Sequence, residues 1–145
     1  MRVDHAGLDE IRDLRVRVLR RNTPATHADY PEDSLADVVH LVIRENDEVV
    51  ATSTWFSKEC PEAPGRAAVQ LKGMAVDDAL QTTGHGRALI EAGLAWAAGR
   101  GAALVWARAR DSAVGFYEKC GFTVAGDGFI DEPTGMPHHI VVVSL

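Results

Sequence analysis

Apolar and polar positions fall into two periodicities along this chain, and they separate helices from strands. Leu8, Ile11, Leu14 and Val18 recur at helical spacing, predicting an amphipathic helix over Leu8–Arg21 that Asn22-Thr23-Pro24 ends. On that register most arginines of the basic run Arg12–Arg21 face solvent, although such a run also suits a phosphate or an acidic partner. Gly86–Gly99 is the most helical stretch, with Leu89, Ile90, Leu94 and Ala97 on one side. Gly93 costs about 1 kcal/mol there relative to alanine, tolerable where the helix presses onto a sheet. A short helix is expected at Ala113–Lys119, capped by Asp111 or Ser112 and closed by Gly121.

Strand patterns cover Val38–Arg44 and Glu48–Phe56, joined by the turn Glu45-Asn46-Asp47 as a hairpin. Arg66–Val76 follows, and Gly73 within it marks a bulge or a close backbone approach. Ala103–Ala109 is short and mostly apolar, as a central strand should be. Phe122–Ala125 and the β-branched His139–Leu145 complete the set, and Met1–His5 reads as an edge strand. Thr23–Ser34, Ser57–Gly65 and Gly126–Pro137 are expected to be loops. The order is one helix, three strands, helix, strand, helix, two strands. That predicts an α/β fold with a mixed sheet, residues 1–145 forming one domain.

Composition narrows the function classes. With 46% hydrophobic and 25% charged residues, the 145-residue chain can bury a proper core. A net charge of −6 disfavours general nucleic-acid binding. No apolar run reaches the roughly 20 residues of a membrane helix, and the start lacks the apolar core of a signal peptide. Cys60 and Cys120 lie far apart and fit a reducing cytoplasm rather than a disulfide framework. With His138 and His139 they match no zinc spacing, so no metal is expected.

Chemistry concentrates between Lys72 and Ala88. Met74, Ala75 and Val76 end a strand, and Gln81-Thr82-Thr83-Gly84-His85-Gly86 then enters a helix. The first amides of that helix have no intrahelical acceptor, and the dipole is positive there, which suits a phosphate or pyrophosphate. A side chain at Gly84 or Gly86 would hold such a ligand away from the backbone. A nucleotide P-loop fits poorly, because Gly86 is followed by Arg87 and Ala88 rather than Lys and Ser/Thr.

These residues resemble the GCN5-related N-acetyltransferases (the GNAT superfamily). Gln81–Gly86 is similar to the family's Arg/Gln-x-x-Gly-x-Gly/Ala loop. Ala113–Phe122 is similar to its Ala-x-x-Phe-Tyr-x-x-x-Gly-Phe block, about thirty residues on. The likeness runs from about Val38 onward and is weaker before it. It implies a mixed, mostly antiparallel sheet flanked by helices and splayed in the middle to hold acetyl-CoA. The pantetheine arm would lie along Met74, Ala75 and Val76, with Gly73 starting the splay. The pyrophosphate would sit at Gln81, Thr82, Thr83, Gly84, His85, Gly86, Arg87 and Ala88, His85 contacting it through its backbone. Arg110 stands where many relatives carry an Asn that binds the arm or a water, Gln81 replaces the commoner Arg, and Cys120 replaces a core Leu. Phe116 is expected to be the core anchor beside the cofactor.

The resemblance further implies that Tyr117 is the general acid for the leaving thiolate, since its ordinary pKa of about 10 is near a thiol's. The other reading of Tyr117 is an amphipathic core residue. His138 and His139 are candidates for the base or for acceptor-site residues, or are structural histidines. The implied activity is acetyl-CoA-dependent N-acetylation of a primary amine by direct attack in a ternary complex; a non-catalytic acyl-CoA sensor is the alternative. The acceptor, a small molecule or a protein amine, is left open, with the three loops expected to set it. Asp127, Asp131 and Glu132 are either a cation-attracting group or a solvated loop. Homodimers are common in the family.

Overall fold

The computed structural model describes residues 1–145, and its strands form one seven-stranded sheet in the order β1-β2-β3-β4-β5-β7-β6. The strands are β1 (Asp4–Ala6), β2 (Val39–Glu45), β3 (Glu48–Ser57), β4 (Ala68–Val76), β5 (Leu104–Arg110), β6 (Thr123–Asp131) and β7 (Met136–Ser144). The helices are α1 (Leu8–Leu19), α2 (His85–Gly99) and α3 (Val114–Lys119). Every neighbouring pair is antiparallel except β4 and β5, which run parallel with α2 as their crossover. No helix is long and apolar enough to cross a membrane.

Alternation along β3 divides the sheet into two faces. Ala51 and Trp55 point into the main core with Leu41, Leu71, Leu89, Ile90, Val105, Tyr117 and Phe122. Fully burying side chains such as Leu89 and Ile90 contributes about 1.5–3 kcal/mol each. A Cβ on Gly93 would lie 1.9 Å from the Trp55 ring, so α2 reaches the sheet only because that position has no side chain.

The other face of β3 carries Thr52 and Thr54, and α1 covers it with Ile11, Leu14 and an arginine. Within a run whose arginines mostly face solvent, Arg15 is wholly buried. Its Nη1 donates to Asp33 Oδ2 at 2.8 Å and to Ala28 O at 3.0 Å; its Nη2 donates to Asp33 Oδ1 at 2.9 Å and Thr54 Oγ1 at 2.6 Å. Arg12, Arg17 and Arg21 do lie outside, paired with Asp29, Asp77 and Asp78. A smaller cluster of Cys60, Ala68, Leu104, Trp106 and Ile140 lies beneath the loop 57–65.

Two interruptions shape the sheet. Thr52 pairs with Ala75 and Thr54 with Lys72, so Gly73 and Met74 together oppose Ser53: a bulge at the predicted glycine, with φ of +66° at Gly73. The β4–β5 pairing runs from Ala68/Leu104 to Leu71/Ala107 and stops there, while β5 continues to Arg110 against β7. The two strands therefore splay beyond Leu71.

The segment 126–137 is not the expected loop. β6 runs on to Asp131 and β7 begins at Met136, with a tight turn between them. Gly126, Asp127 and Gly128 form a bulge between the pairs Ala125/Ile140 and Phe129/His138. Two glycines mark a break in the ladder, after which the strand resumes.

Candidate active site

The splay opens a cleft of about 1530 Å³ between β4, β5, the start of α2, the end of α1 and the β6–β7 turn. Met74 and Val76 line it from β4, whose far edge is paired to β3 but whose near edge has no β5 partner past Leu71. That leaves a row of backbone donors and acceptors to which an extended chain can pair.

The Gly84 turn is built by φ values that most residues avoid. Gly84 stands at +93°, where a Cβ would find only Met1 Cε at 3.9 Å; its constraint is conformation, not space. Thr82 also lies at positive φ, +67°, costly for a β-branched residue. The first α2 hydrogen bond runs from Ala88 N to Gly84 O at 3.0 Å, so the amides of His85, Gly86 and Arg87 have no intrahelical acceptor. Ala88 has spent its amide, as has Thr83, whose N–H donates to Leu80 O at 3.3 Å. Gly86 has a second reason to be glycine: a Cβ there would lie 2.9 Å from the Phe116 ring.

Side chains around the turn brace it from behind. The His85 ring is buried, with Nδ1 at 2.6 Å from Thr83 Oγ1 and Nε2 at 2.8 Å from Glu45 Oε2. It thereby ties the turn to the end of β2, a role the sequence did not suggest. Gln81 Nε2 donates to Val76 O and to Asp78 Oδ1, each at 3.3 Å. Of the predicted residues here, Gln81, Thr82, Gly84, Gly86 and Arg87 line the cleft, whereas Ala75, Thr83, His85 and Ala88 do not.

Phe116 and Tyr117 enter from α3. The Tyr117 ring packs edge-on between Phe116 and Phe122, at centroid distances of 5.2 and 5.3 Å. Tyr117 is 6% exposed and lines the cleft, and burial pushes its phenol well above the ordinary range, keeping it protonated. It is thus both core residue and cleft residue.

His138 lies inside β7 rather than before it, in register with Arg110 and stacked on Phe129 at 5.9 Å. Its Nδ1 sits 2.9 Å from Met136 O. A carbonyl only accepts, so Nδ1 carries the hydrogen and the neutral ring keeps its lone pair on Nε2. His138 lines the cleft; His139 does not, being paired to Asp111 at 2.6 Å.

Sequence reasoning missed the opposite wall. Tyr30 lines the cleft with three cations about its ring: Lys72 Nζ at 4.4 Å, Arg15 at 4.6 Å and Arg20 at 5.8 Å from the centroid. Glu32 locks Lys58 and Lys72 at 2.8 and 2.9 Å. These contacts join residues far apart in the chain, and no local pattern announces them. Of the three loops, 23–34 and the 132–135 turn border the cleft, but 57–65 does not. Asp131 and Glu132 border it too, while Asp127 does not. Cys120, expected to be buried, is half-buried; burial raises its thiol and that of Cys60.

A mixed sheet splayed between its two parallel strands, with a glycine turn and a helix N-terminus at the splay, is the arrangement that the resemblance to acyl-CoA-dependent transferases implied. The sequence matches the Acetyltransferase (GNAT) family over residues 8–122, and the chain belongs to that family. The match begins at α1, earlier than the motifs alone suggested.

Solved structures share the fold. An acyl-CoA N-acyltransferase from Pseudomonas aeruginosa superposes with a TM-score of 0.76 at 17% identity, covering 99% of this chain and 100% of that one. An aminoglycoside 6'-N-acetyltransferase complexed with coenzyme A gives 0.74 at 13%, covering 99% and 97%. A ribosomal-protein-alanine N-acetyltransferase from Brucella melitensis gives 0.74 at 16%, covering all of both chains. No curated protein matches the sequence.

Proposed function

We propose that this chain is a cytoplasmic N-acetyltransferase that moves the acetyl group of acetyl-CoA to a primary amine by direct attack in a ternary complex. One observation carries the reading: the free edge of β4, Gly86 and Arg87 with their unpaired amides, and Tyr117 all border one cleft. The donor's parts match those features in order. The amides of His85, Gly86 and Arg87 would hold the pyrophosphate, and Met74–Val76 would pair with the amide groups of the pantetheine arm. Two unpaired cysteines accord with a reducing compartment.

The thioester supplies the activated acetyl group; the chain supplies position and proton transfer. His138, with its lone pair on Nε2, takes a proton from the incoming ammonium so that the amine can attack. Tyr117 gives its phenolic proton to the departing sulfur. The burial that raises the phenol also disfavours a charged thiolate beside it, so the two basicities rise together and the transfer is not penalised.

Titration with acetyl-CoA and CoA, followed by a thiol-release assay over an amine panel, tests this. Saturable binding and CoA release are expected. Binding without release on any amine would favour an acyl-CoA sensor, and no binding would remove the donor site.

A further inference from the structure

We propose that Arg20 and Arg110 form an anion subsite in the acceptor half of the cleft, and that the acceptor is a small amine bearing a carboxylate, as an amino acid does. This rests on the transferase reading above.

The inference comes from how the cleft's cations are partnered. Arg21 is taken by Asp78 at 2.8 Å, Lys72 by Glu32 at 2.9 Å and Arg108 by Asp131 at 3.3 Å. Four others line the cleft without an ion pair: Arg20, Arg87, Arg110 and Lys119. They fall into two groups. Arg87 and Lys119 adjoin the glycine turn, Arg87 Nη2 donating to Lys119 O at 3.0 Å, and on the transferase reading they would meet the phosphates of CoA.

Arg20 and Arg110 stand elsewhere, one at the end of α1 and the other at the end of β5. Their guanidiniums converge on a single carbonyl, that of Leu19, to which Arg110 Nη2 donates and which Arg20 Nη1 approaches to 3.5 Å. Arg20 also donates to His27 O at 2.9 Å. Helix-end carbonyls favour cations, which accounts for one of the two. Two guanidiniums bring ten N–H donors; the carbonyls of Leu19 and His27 use three of them, and the Tyr30 hydroxyl is a further partner of Arg20. Burial, followed by the charge of Arg20, makes Arg110 easier to deprotonate than an ordinary arginine, against the smaller opposing effects of Tyr30 and Asp131. Like charges held together in a half-buried cleft are relieved by an anion, and a carboxylate fits the guanidinium fork.

The same pair repels a polycationic acceptor. Glu132, on the facing turn and without an ion pair of its own, supplies a counter-charge for the ammonium of a zwitterion. Ile130, 63% exposed on the same rim, offers apolar contact to a side chain.

The test is CoA release from acetyl-CoA with matched amines: a set of L-amino acids, their carboxamides, and spermidine. The wild type is expected to favour carboxylate over carboxamide by about tenfold or more in kcat/KM. Arg110→Gln should bring that ratio near one, and Arg20→Gln, at a residue outside the expected donor site, should do so with the acetyl-CoA KM within about twofold, while Arg110→Lys keeps part of the preference. Equal use of the two forms, preference for spermidine, or an Arg110→Gln effect confined to the acetyl-CoA KM would overturn the subsite. If no amine releases CoA, the transferase reading fails, and thermal shifts with N-acetyl amino acids in the presence of CoA decide the subsite alone. A Tm rise in the wild type that Arg110→Gln lacks would uphold it; no rise would overturn it.

Discussion

Arg15 and Asp33 face each other through both carboxylate oxygens, at 2.8 and 2.9 Å, with side-chain exposures of 0% and 4%. This pair fastens the 23–34 segment to the sheet beside the Gly73 bulge, since a Cβ on Gly73 would lie 3.2 Å from Arg15 Nε and 3.1 Å from the Tyr30 ring. One wall of the cleft thus hangs on a buried ion pair. Asp33 also accepts the Tyr30 amide at 2.8 Å, and Thr54 links Arg15 to His40.

Asp33→Asn should be strongly destabilising. Removing one partner leaves a buried guanidinium unpaired, a loss of about 3–5 kcal/mol. In a chain of this size that lowers Tm by roughly 10 °C or more. Calorimetry checks it; a change within error would mean that the pair does not hold the wall.

Glu32 predicts a pH dependence. Burial works against its charge, but the hydrogen bonds from Lys58 and Lys72 outweigh it and hold the carboxyl down to about 2. A depressed carboxylate contributes stability above its unfolded value of about 4.3 and loses it as pH falls through the folded value. The gap in urea midpoint between wild type and Glu32→Gln should therefore be full at pH 7 and close between about pH 4.5 and pH 2. A gap that persists at the acid end would contradict the assignment.

Tyr117→Phe should lower kcat by about 10²-fold or more and leave acetyl-CoA affinity nearly unchanged. The ring remains to pack on Phe116 and Phe122, so the fold is kept. An unchanged kcat would remove Tyr117 as the acid.

His138→Gln should cost about 10²-fold in kcat/KM near neutrality, with rate recovered at high pH where the amine loses its proton unaided. A uniform loss at every pH would instead indicate a role in positioning.

Gly84→Val tests the donor site. With φ at +93° a β-branched residue strains the turn, although nothing crowds its Cβ. Acetyl-CoA binding should be lost while the circular dichroism spectrum is retained. Normal affinity in this variant would sink the pyrophosphate assignment.

What local chemistry controls was legible in the chain. Helical spacing in Leu8–Val18 and Leu89–Ala97, the turn at Asn46-Asp47, and the glycines at 73, 84 and 93 act over a few residues, and each marked its element. Gln81–Gly86 and Ala113–Phe122 carried the family for the same reason: a helix N-terminus and a packed aromatic pair are short-range constructions.

Tertiary structure decided the rest. Arg15 sits on an amphipathic helix among exposed arginines, and only the threonine face of β3 and the position of Asp33 make burial favourable for it. Gly126-Asp127-Gly128 reads as a loop until β7 lies alongside and turns it into a bulge. Arg20 and Arg110 lie ninety residues apart and meet at one carbonyl because α1 ends where β5 ends. Burial and charge pairing are properties of neighbours in space, and the chain alone specifies neighbours only along itself.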